Sequence, residues 1–147
     1  MRNRVEILHG VNLDQLGSRE PEIYGSLTLG ELETQVRRFG TELGLELIFE
    51  QTNHEGEYVE LLHAARETTD ALILNPGAWT HYSYAIRDAL ASTGLPAVEV
   101  HLSAVSEREE FRRHSVIRDH CLAHIEGKGV DGYSDALVLL NEAFERS

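Results

Sequence analysis

Cysteine occurs once in this chain, at Cys121. A single thiol builds neither an internal disulfide framework nor a thiolate zinc site, and such scarcity fits a reducing cytosol. Long apolar runs are missing too: nothing approaches the roughly 20 residues that cross a bilayer. The basic start, Met1-Arg2-Asn3-Arg4, leads into a brief apolar run that already contains Glu6, too short for the core of a signal peptide. The expected location is therefore cytoplasmic, with no membrane partner. Cations are also scarce. Lys and Arg number 13 against 25 Asp and Glu, a net charge of −12. Nucleic acid is not an expected partner, because phosphate neutralisation needs clustered cations. An anionic ligand would need a local cationic pocket, and the cations that can make one are Arg19, Arg87 and the run Arg108, Arg112, Arg113.

Several nucleotide and nucleophile motifs are absent. The chain has no Gly-x-Gly-x-x-Gly after its first apolar run, no Gly-x-x-x-x-Gly-Lys-Ser/Thr and no Gly-x-Ser-x-Gly. No His, Asp and Glu set has metal-ligand spacing. These absences weigh against nucleotide, flavin, nucleophilic-serine and metal chemistry, so neither cofactor nor metal is expected. Acid–base chemistry on a small, hydroxylated, anionic molecule remains.

What is present is a regular alternation. At 147 residues, with 41% apolar and 26% charged side chains, the chain is expected to form one domain over 1–147. Val5 to Leu8 reads as a short buried strand. Thr28 with Glu31 forms a capping box, and Leu29, Leu32, Val36, Phe39 and Leu43 share one helical face before Gly44. A strand over Leu45 to Thr52 follows, then a turn at Asn53 to Gly56 and a helix over Tyr58 to Thr68. Ala71 to Leu74 is continuously apolar, as a strand covered on both faces would be. A third helix is expected from Thr80 or His81 to Leu90. A strand over Ala97 to Val100, a short helix over Ser106 to Arg113, a fifth strand over Cys121 to Ile125 and a closing helix over Val130 to Phe144 complete the pattern. This β-α alternation predicts a five-stranded, doubly wound parallel sheet with helices on both faces.

In such folds ligands sit outside the carboxyl ends of the strands. There the sequence places His9 and Asn12, then Asn53, His54 and Glu55, then Asn75 and His81, then His101 and Ser103 with Arg108 and Arg112 in reach. The segment Gly17 to Gly25 stands over the same edge, bounded by glycines and holding Arg19 and Tyr24. By itself it reads as a shaped surface loop. A tyrosine, with a pKa of roughly 10, serves as a base near neutral pH only when cations stabilise the phenolate, and Arg19 and Arg108 are at hand. Glu99 and His101 are two apart on one strand, so their side chains leave the same face and can touch, which fixes the imidazole for proton donation. Asn12 and Asn75 are neutral donors suited to hydroxyls or an oxyanion. His81, near a helix start, reads equally as a cap. Trp79, Tyr82 and Tyr84 read as packing residues, and Cys121 as an inert core position.

Longer blocks of sequence carry a resemblance. Asn12-Leu13 with Leu16 to Gly25, Gln51 to Gly56, Asn75 to Leu90, Glu99 to Ser103, Arg108 to Ser115 and Gly132-Tyr133 resemble, in order, the motifs of the type II 3-dehydroquinate dehydratases. The resemblance implies a flavodoxin-like subunit in a homododecamer, a tetramer of trimers. It implies cofactor-free conversion of 3-dehydroquinate to 3-dehydroshikimate and water, in the shikimate pathway to aromatic amino acids or in quinate breakdown. It makes Tyr24 the base, with Arg19 and Arg108 lowering its pKa. Asn12 helps stabilise the enolate, and His101, oriented by Glu99, is the acid. Asn75, His81 and Arg112 hold ring hydroxyls, the amides of Leu102 and Ser103 hold the carboxylate, and Asp88 reaches a neighbouring subunit's site. The Gly17 to Gly25 segment becomes a closing lid. Three stretches depart from the family pattern. His9-Gly10-Val11-Asn12-Leu13-Asp14 stands where Asn-Gly-Pro-Asn-Leu-Asn is usual, Ser103-Ala104 stands where Ser-Asn is usual, and Arg118 to Gly129 holds His120, His124 and Glu126. A non-catalytic or altered-substrate paralogue binding a related hydroxy acid is the alternative.

Overall fold

The computed structural model describes residues 1–18 and 20–146, with Tyr24 described through its backbone. The apolar runs become five strands: β1 (Arg4–His9), β2 (Glu46–Gln51), β3 (Ala71–Asn75), β4 (Ala97–His101) and β5 (Ala123–Glu126). They pair in parallel in the order β2-β1-β3-β4-β5, the order of flavodoxin-like sheets. The helices are the single turn α1 (Pro21–Tyr24), then α2 (Leu29–Glu42), α3 (Glu55–Thr68), α4 (Tyr84–Thr93) and α5 (Asp131–Glu145).

Alternation along the strands assigns the faces. Val5, Ile7, Ala71, Ile73, Val98 and Val100 pack against Leu32 and Val36 of α2 and Tyr133, Leu137 and Leu140 of α5. Leu8, Leu72, Leu74 and Ala97 point the other way, against Tyr58, Leu62 and Ala65 of α3 and Ile86 and Leu90 of α4. β3 is covered on both sides, which is why Ala71 to Leu74 is an unbroken apolar run. Each fully buried leucine or isoleucine there contributes roughly 1.5–3 kcal/mol.

The capping box at α2 forms as the sequence predicts. Thr28 Oγ1 accepts from the Glu31 amide at 3.1 Å, and Glu31 Oε1 accepts from the Thr28 amide at 3.1 Å. Gly44, at φ 76°, follows the last turn.

Besides shifts of one residue at several ends, four expected elements start elsewhere or form differently. α3 starts at Glu55, so the turn at Asn53 is shorter than predicted; Glu55 and Glu57 in the first turn favour the positive end of the helix dipole. Tyr58 thereby turns inward, fully buried, with its hydroxyl donating to the Leu8 carbonyl at 3.0 Å, while Leu61 is only half-buried. α4 starts at Tyr84 because Ser83, not Thr80 or His81, is the cap: its Oγ accepts from the Ile86 amide at 3.1 Å. Gly77–His81 is instead a 3-10 turn. Tyr82 and Tyr84 then face outward, 57% and 69% exposed, and are not the packing residues expected; Trp79 is buried. Ser106 to Arg113 is no single helix: two 3-10 turns, Val105–Glu107 and Glu110–Arg113, cover the stretch, since none of Ser106 to Arg113 is buried to anchor a helical face. β5 begins at Ala123, after a 3-10 turn over Arg118–His120.

The chain crosses to β2 on one side of β1 and to β3 on the other, so a crevice opens where β1 and β3 end. Here the two following loops press together. Gly10 donates its amide to the Asn75 carbonyl at 2.8 Å, and a Cβ on Gly10 would overlap the Pro76 backbone. Gly77, at φ 67°, would put a Cβ 2.6 Å from the Val11 carbonyl oxygen. Only glycine fits either position, and the crevice walls depend on both.

Candidate active site

One pocket occupies that crevice, and Asn12, Asn75, His81, His101, Leu102, Ser103, Arg108 and Arg112 all line it. Residues spread over 100 positions of sequence thus meet at the carboxyl edge of the sheet. Asp88 does not join them; it is exposed on α4, outside the pocket of its own chain. Arg19 and the Tyr24 side chain lie outside the described residues.

β4 supplies the acid–base pair. Glu99 and His101 leave the same strand face, both buried, with Glu99 Oε2 2.6 Å from His101 Nε2. Glu99 is held further by Arg118 Nη2 at 3.1 Å and by the Ser115 hydroxyl at 2.7 Å. Burial alone would raise this carboxyl. The hydrogen bond and charge of His101, with the bonds from Arg118 and Ser115, outweigh burial and hold it down at about 2. Glu99 is therefore a permanent carboxylate, and Nε2–H of His101 is its donor. That leaves Nδ1 as the nitrogen free to pass a proton to a ligand. Sequence patterns alone do not point to Ser115 or Arg118 as site residues. Ser115 lies in a matched block; Arg118 opens the stretch that departs from the family, so no local pattern marked it.

His81 lies beside this pair, its ring stacked 6.4 Å from that of His101. Ser83 takes the capping role, so His81 is released to the pocket. Its Nδ1–H donates to the His114 carbonyl at 2.7 Å. Burial, with the charges of His101 and Arg112, lowers its pKa against the opposing pull of the His114 carbonyl and Glu99. A neutral ring with Nδ1–H presents Nε2 as an acceptor, the arrangement that takes a hydrogen bond from a hydroxyl.

Asn12 sits at φ 69°, a left-handed conformation that asparagine tolerates better than most residues. Its amide donates to Asn53 Oδ1 at 2.8 Å. Gln51 Nε2 reaches both Asn53 Oδ1 and the Gly10 carbonyl, at 3.1 Å each, and Asn53 Nδ2 donates to Asp14 Oδ2 at 3.2 Å. The turn lacks the family's proline, and side chains from the end of β2 brace it instead. Asp14 and Asn53 are thus supports of Asn12.

Cations meet the pocket from the β4–β5 connection. Arg108 Nη1 donates to the Ser103 hydroxyl at 3.4 Å, and its Nη2 lies 3.6 Å from Glu20. Arg108 therefore bridges the β4 end and the segment carrying Arg19 and Tyr24. Arg112 donates to Glu109 at 3.0 Å and lies 4.6 Å over the Phe111 ring. In a chain of net charge −12, these guanidiniums supply the local positive field an anionic ligand needs. Among the described residues, no three His, Cys, Asp or Glu side chains converge as a metal site. Cys121 is half-buried, and burial pushes its thiol up to about 12, as befits an unreactive position.

Residues 3–141 match the family Dehydroquinase class II. The chain belongs to this family. A protein of Pelotomaculum thermopropionicum named 3-dehydroquinate dehydratase is 52% identical over 134 residues, covering 91% of this chain and 93% of that one. A protein of the same name from Bacillus subtilis is 50% identical, covering 91% of this chain and 90% of its own. The crystal structure of a type II dehydroquinase from Butyrivibrio crossotus superposes with a TM-score of 0.93 at 42% identity, covering 95% of this chain and 98% of that one. The class II dehydroquinase membership and the pocket largely coincide: four of the six blocks of sequence that carry the resemblance contribute residues to the crevice lining.

Proposed function

We propose that residues 1–147 form one catalytic domain that dehydrates 3-dehydroquinate to 3-dehydroshikimate and water. The observation that carries this reading is the buried Glu99–His101 pair at the crevice, beside a neutral-acceptor His81 and under two arginines. Tyr24, with its pKa lowered by Arg19 and Arg108, takes the proton next to the ketone. The electrons pass into an enolate that Asn12 helps stabilise through an ordered water. The enolate collapses as the hydroxyl leaves with the Nδ1 proton of the doubly protonated His101 ring, giving the conjugated enone, water and a neutral imidazole that keeps its Nε2–H. Glu99 keeps its bond to Nε2–H throughout, so the ring delivers its proton from one nitrogen only. Asn75, His81 and Arg112 hold the ring hydroxyls; the Leu102 and Ser103 amides hold the carboxylate. Asp88, remote from its own pocket, serves a neighbour's pocket in a homododecamer, a tetramer of trimers. The step belongs to the shikimate pathway or to quinate breakdown, in the cytoplasm, without metal or cofactor.

The test is direct. Incubation with 3-dehydroquinate should raise ultraviolet absorbance as the enone forms. No rise at micromolar protein would leave the reading without support and favour a non-catalytic or altered-substrate paralogue. Tyr24→Phe should abolish turnover with binding retained; an unchanged rate would remove Tyr24 as the base.

A further inference from the structure

His9, one of the departures from the family pattern, is 1% exposed at the end of β1. Asn75 is its register partner on β3, so both side chains leave the same face of the sheet. Tyr133 of α5, fully buried, rises between them. Its hydroxyl lies 2.8 Å from His9 Nε2 and 3.2 Å from Asn75 Nδ2. Asn75 Oδ1 accepts from the Gly77 amide at 3.3 Å.

These contacts fix every proton in the chain. Gly77 N is a donor, so the Asn75 atom facing it is the oxygen, and Nδ2 faces Tyr133. The Tyr133 hydroxyl then accepts from Asn75 and gives its own proton to His9 Nε2. His9 must be neutral with its proton on Nδ1. Burial keeps it so, pushing its pKa down to about 4. His9 Nδ1 is buried without a partner. An aliphatic side chain would avoid that orphaned nitrogen, but it would strip Tyr133 of its acceptor. The hydroxyl would turn its proton toward Asn75 and favour the flipped amide, which sets donor against donor at Gly77.

We propose that His9 and Tyr133 are positioning residues that lock the Asn75 amide in one orientation, so that its second Nδ2–H is a fixed hydrogen-bond donor to a ring hydroxyl in the pocket. The substrate half of this inference rests on the dehydratase reading; the lock itself does not. A hydroxyl held away from the breaking bonds is bound alike in ground and transition states, so losing the lock raises KM and spares kcat.

The experiment compares Tyr133→Phe, His9→Leu and His9→Gln in the full chain. Glutamine offers an acceptor at about the reach of Nε2. With 3-dehydroquinate, Tyr133→Phe and His9→Leu should each raise KM about tenfold with kcat within about twofold, as the loss of one buried hydrogen bond predicts. His9→Gln should restore KM to within about twofold. Independently of turnover, the Asn75 side-chain amide, assigned by its loss in Asn75→Asp, should give two well-separated, slowly exchanging proton signals in a nitrogen-correlated NMR spectrum. Tyr133→Phe should merge them or speed their exchange, and His9→Gln should leave them in place. An unaltered Asn75 signal in folded Tyr133→Phe overturns the lock, as does a KM unchanged in both Tyr133→Phe and His9→Leu. No turnover by the unaltered chain sinks the dehydratase reading and leaves the amide spectrum to decide the lock.

Discussion

Glu6 should make this protein lose stability as pH rises through neutrality. It lies at the middle of β1, 5% exposed, on the face shared with Leu8 and Tyr58. Its partner across the β1–β2 pairing is Ile48, and Glu50, two residues further on and paired with Leu8, lies on the same face. Burial first, and then the negative charge of Glu50, raise its pKa from 4.5 to about 7. A raised folded-state value means that the native chain holds this proton more tightly than the unfolded chain does. The stability so gained is complete below the unfolded value of 4.5 and is lost as pH climbs through about 7. A shift of this size corresponds to a ceiling of about 3 kcal/mol. β2 is an edge strand, so water screens part of the charge, and about 1–2 kcal/mol at pH 8 is the working figure. Glu6→Gln keeps the shape and removes the charge. Thermal unfolding followed by circular dichroism should give the variant a Tm higher by about 3–8 °C at pH 8. At pH 5 no more than about a third of that gain should remain. A gain independent of pH, or a lower Tm at pH 8, would show that the buried charge is not what Glu6 costs the fold.

Three further outcomes follow from the same reasoning. Glu99→Gln removes the carboxylate that orients His101 and leaves Arg118 facing an amide; the turnover number should fall about 10²- to 10⁴-fold in steady-state assay, with KM within a few-fold. Asn53→Ala frees the left-handed Asn12 turn from its brace; kcat/KM should drop about tenfold while Tm falls by only a few degrees, and an unchanged kcat/KM would remove Asn53 as a support. Ser83→Ala deletes the α4 cap and the hydroxyl bonded to Glu55, so denaturant unfolding should show a loss of about 1–2 kcal/mol at unchanged m-value.

Much of the fold was legible because its signals are local. The capping box at Thr28, the glycine after α2 and the unbroken apolar run of β3 each state a rule that neighbouring residues obey. The Glu99–His101 contact was legible for the same reason: two residues apart on a strand means one face. Where local rules competed, the sequence misled. Thr80 and Ser83 both suit a helix start, and only packing of Trp79 and Thr80 into the core selects Ser83. That choice turns Tyr82 and Tyr84 outward, where aromatic character had promised burial.

The sequence alone determined which faces are apolar, how many strands alternate with helices, and which polar residues end up at the carboxyl edge. Periodicity fixes the side of an element a residue occupies, and strand ends in a parallel doubly wound sheet converge by topology. It did not determine who meets whom across the core. Tyr133 falls in the closing helix and in the last matched block, and neither placement names its partners: its hydroxyl joins His9 and Asn75, 124 and 58 residues away. Arg118 read as part of a divergent stretch, yet its guanidinium pairs with Glu99 beside His101. Such partners are decided by the docking of α5 and the β4–β5 connection onto the sheet, because a hydrogen bond requires an approach within about 3 Å. No spacing rule sets that approach between residues so far apart in the chain.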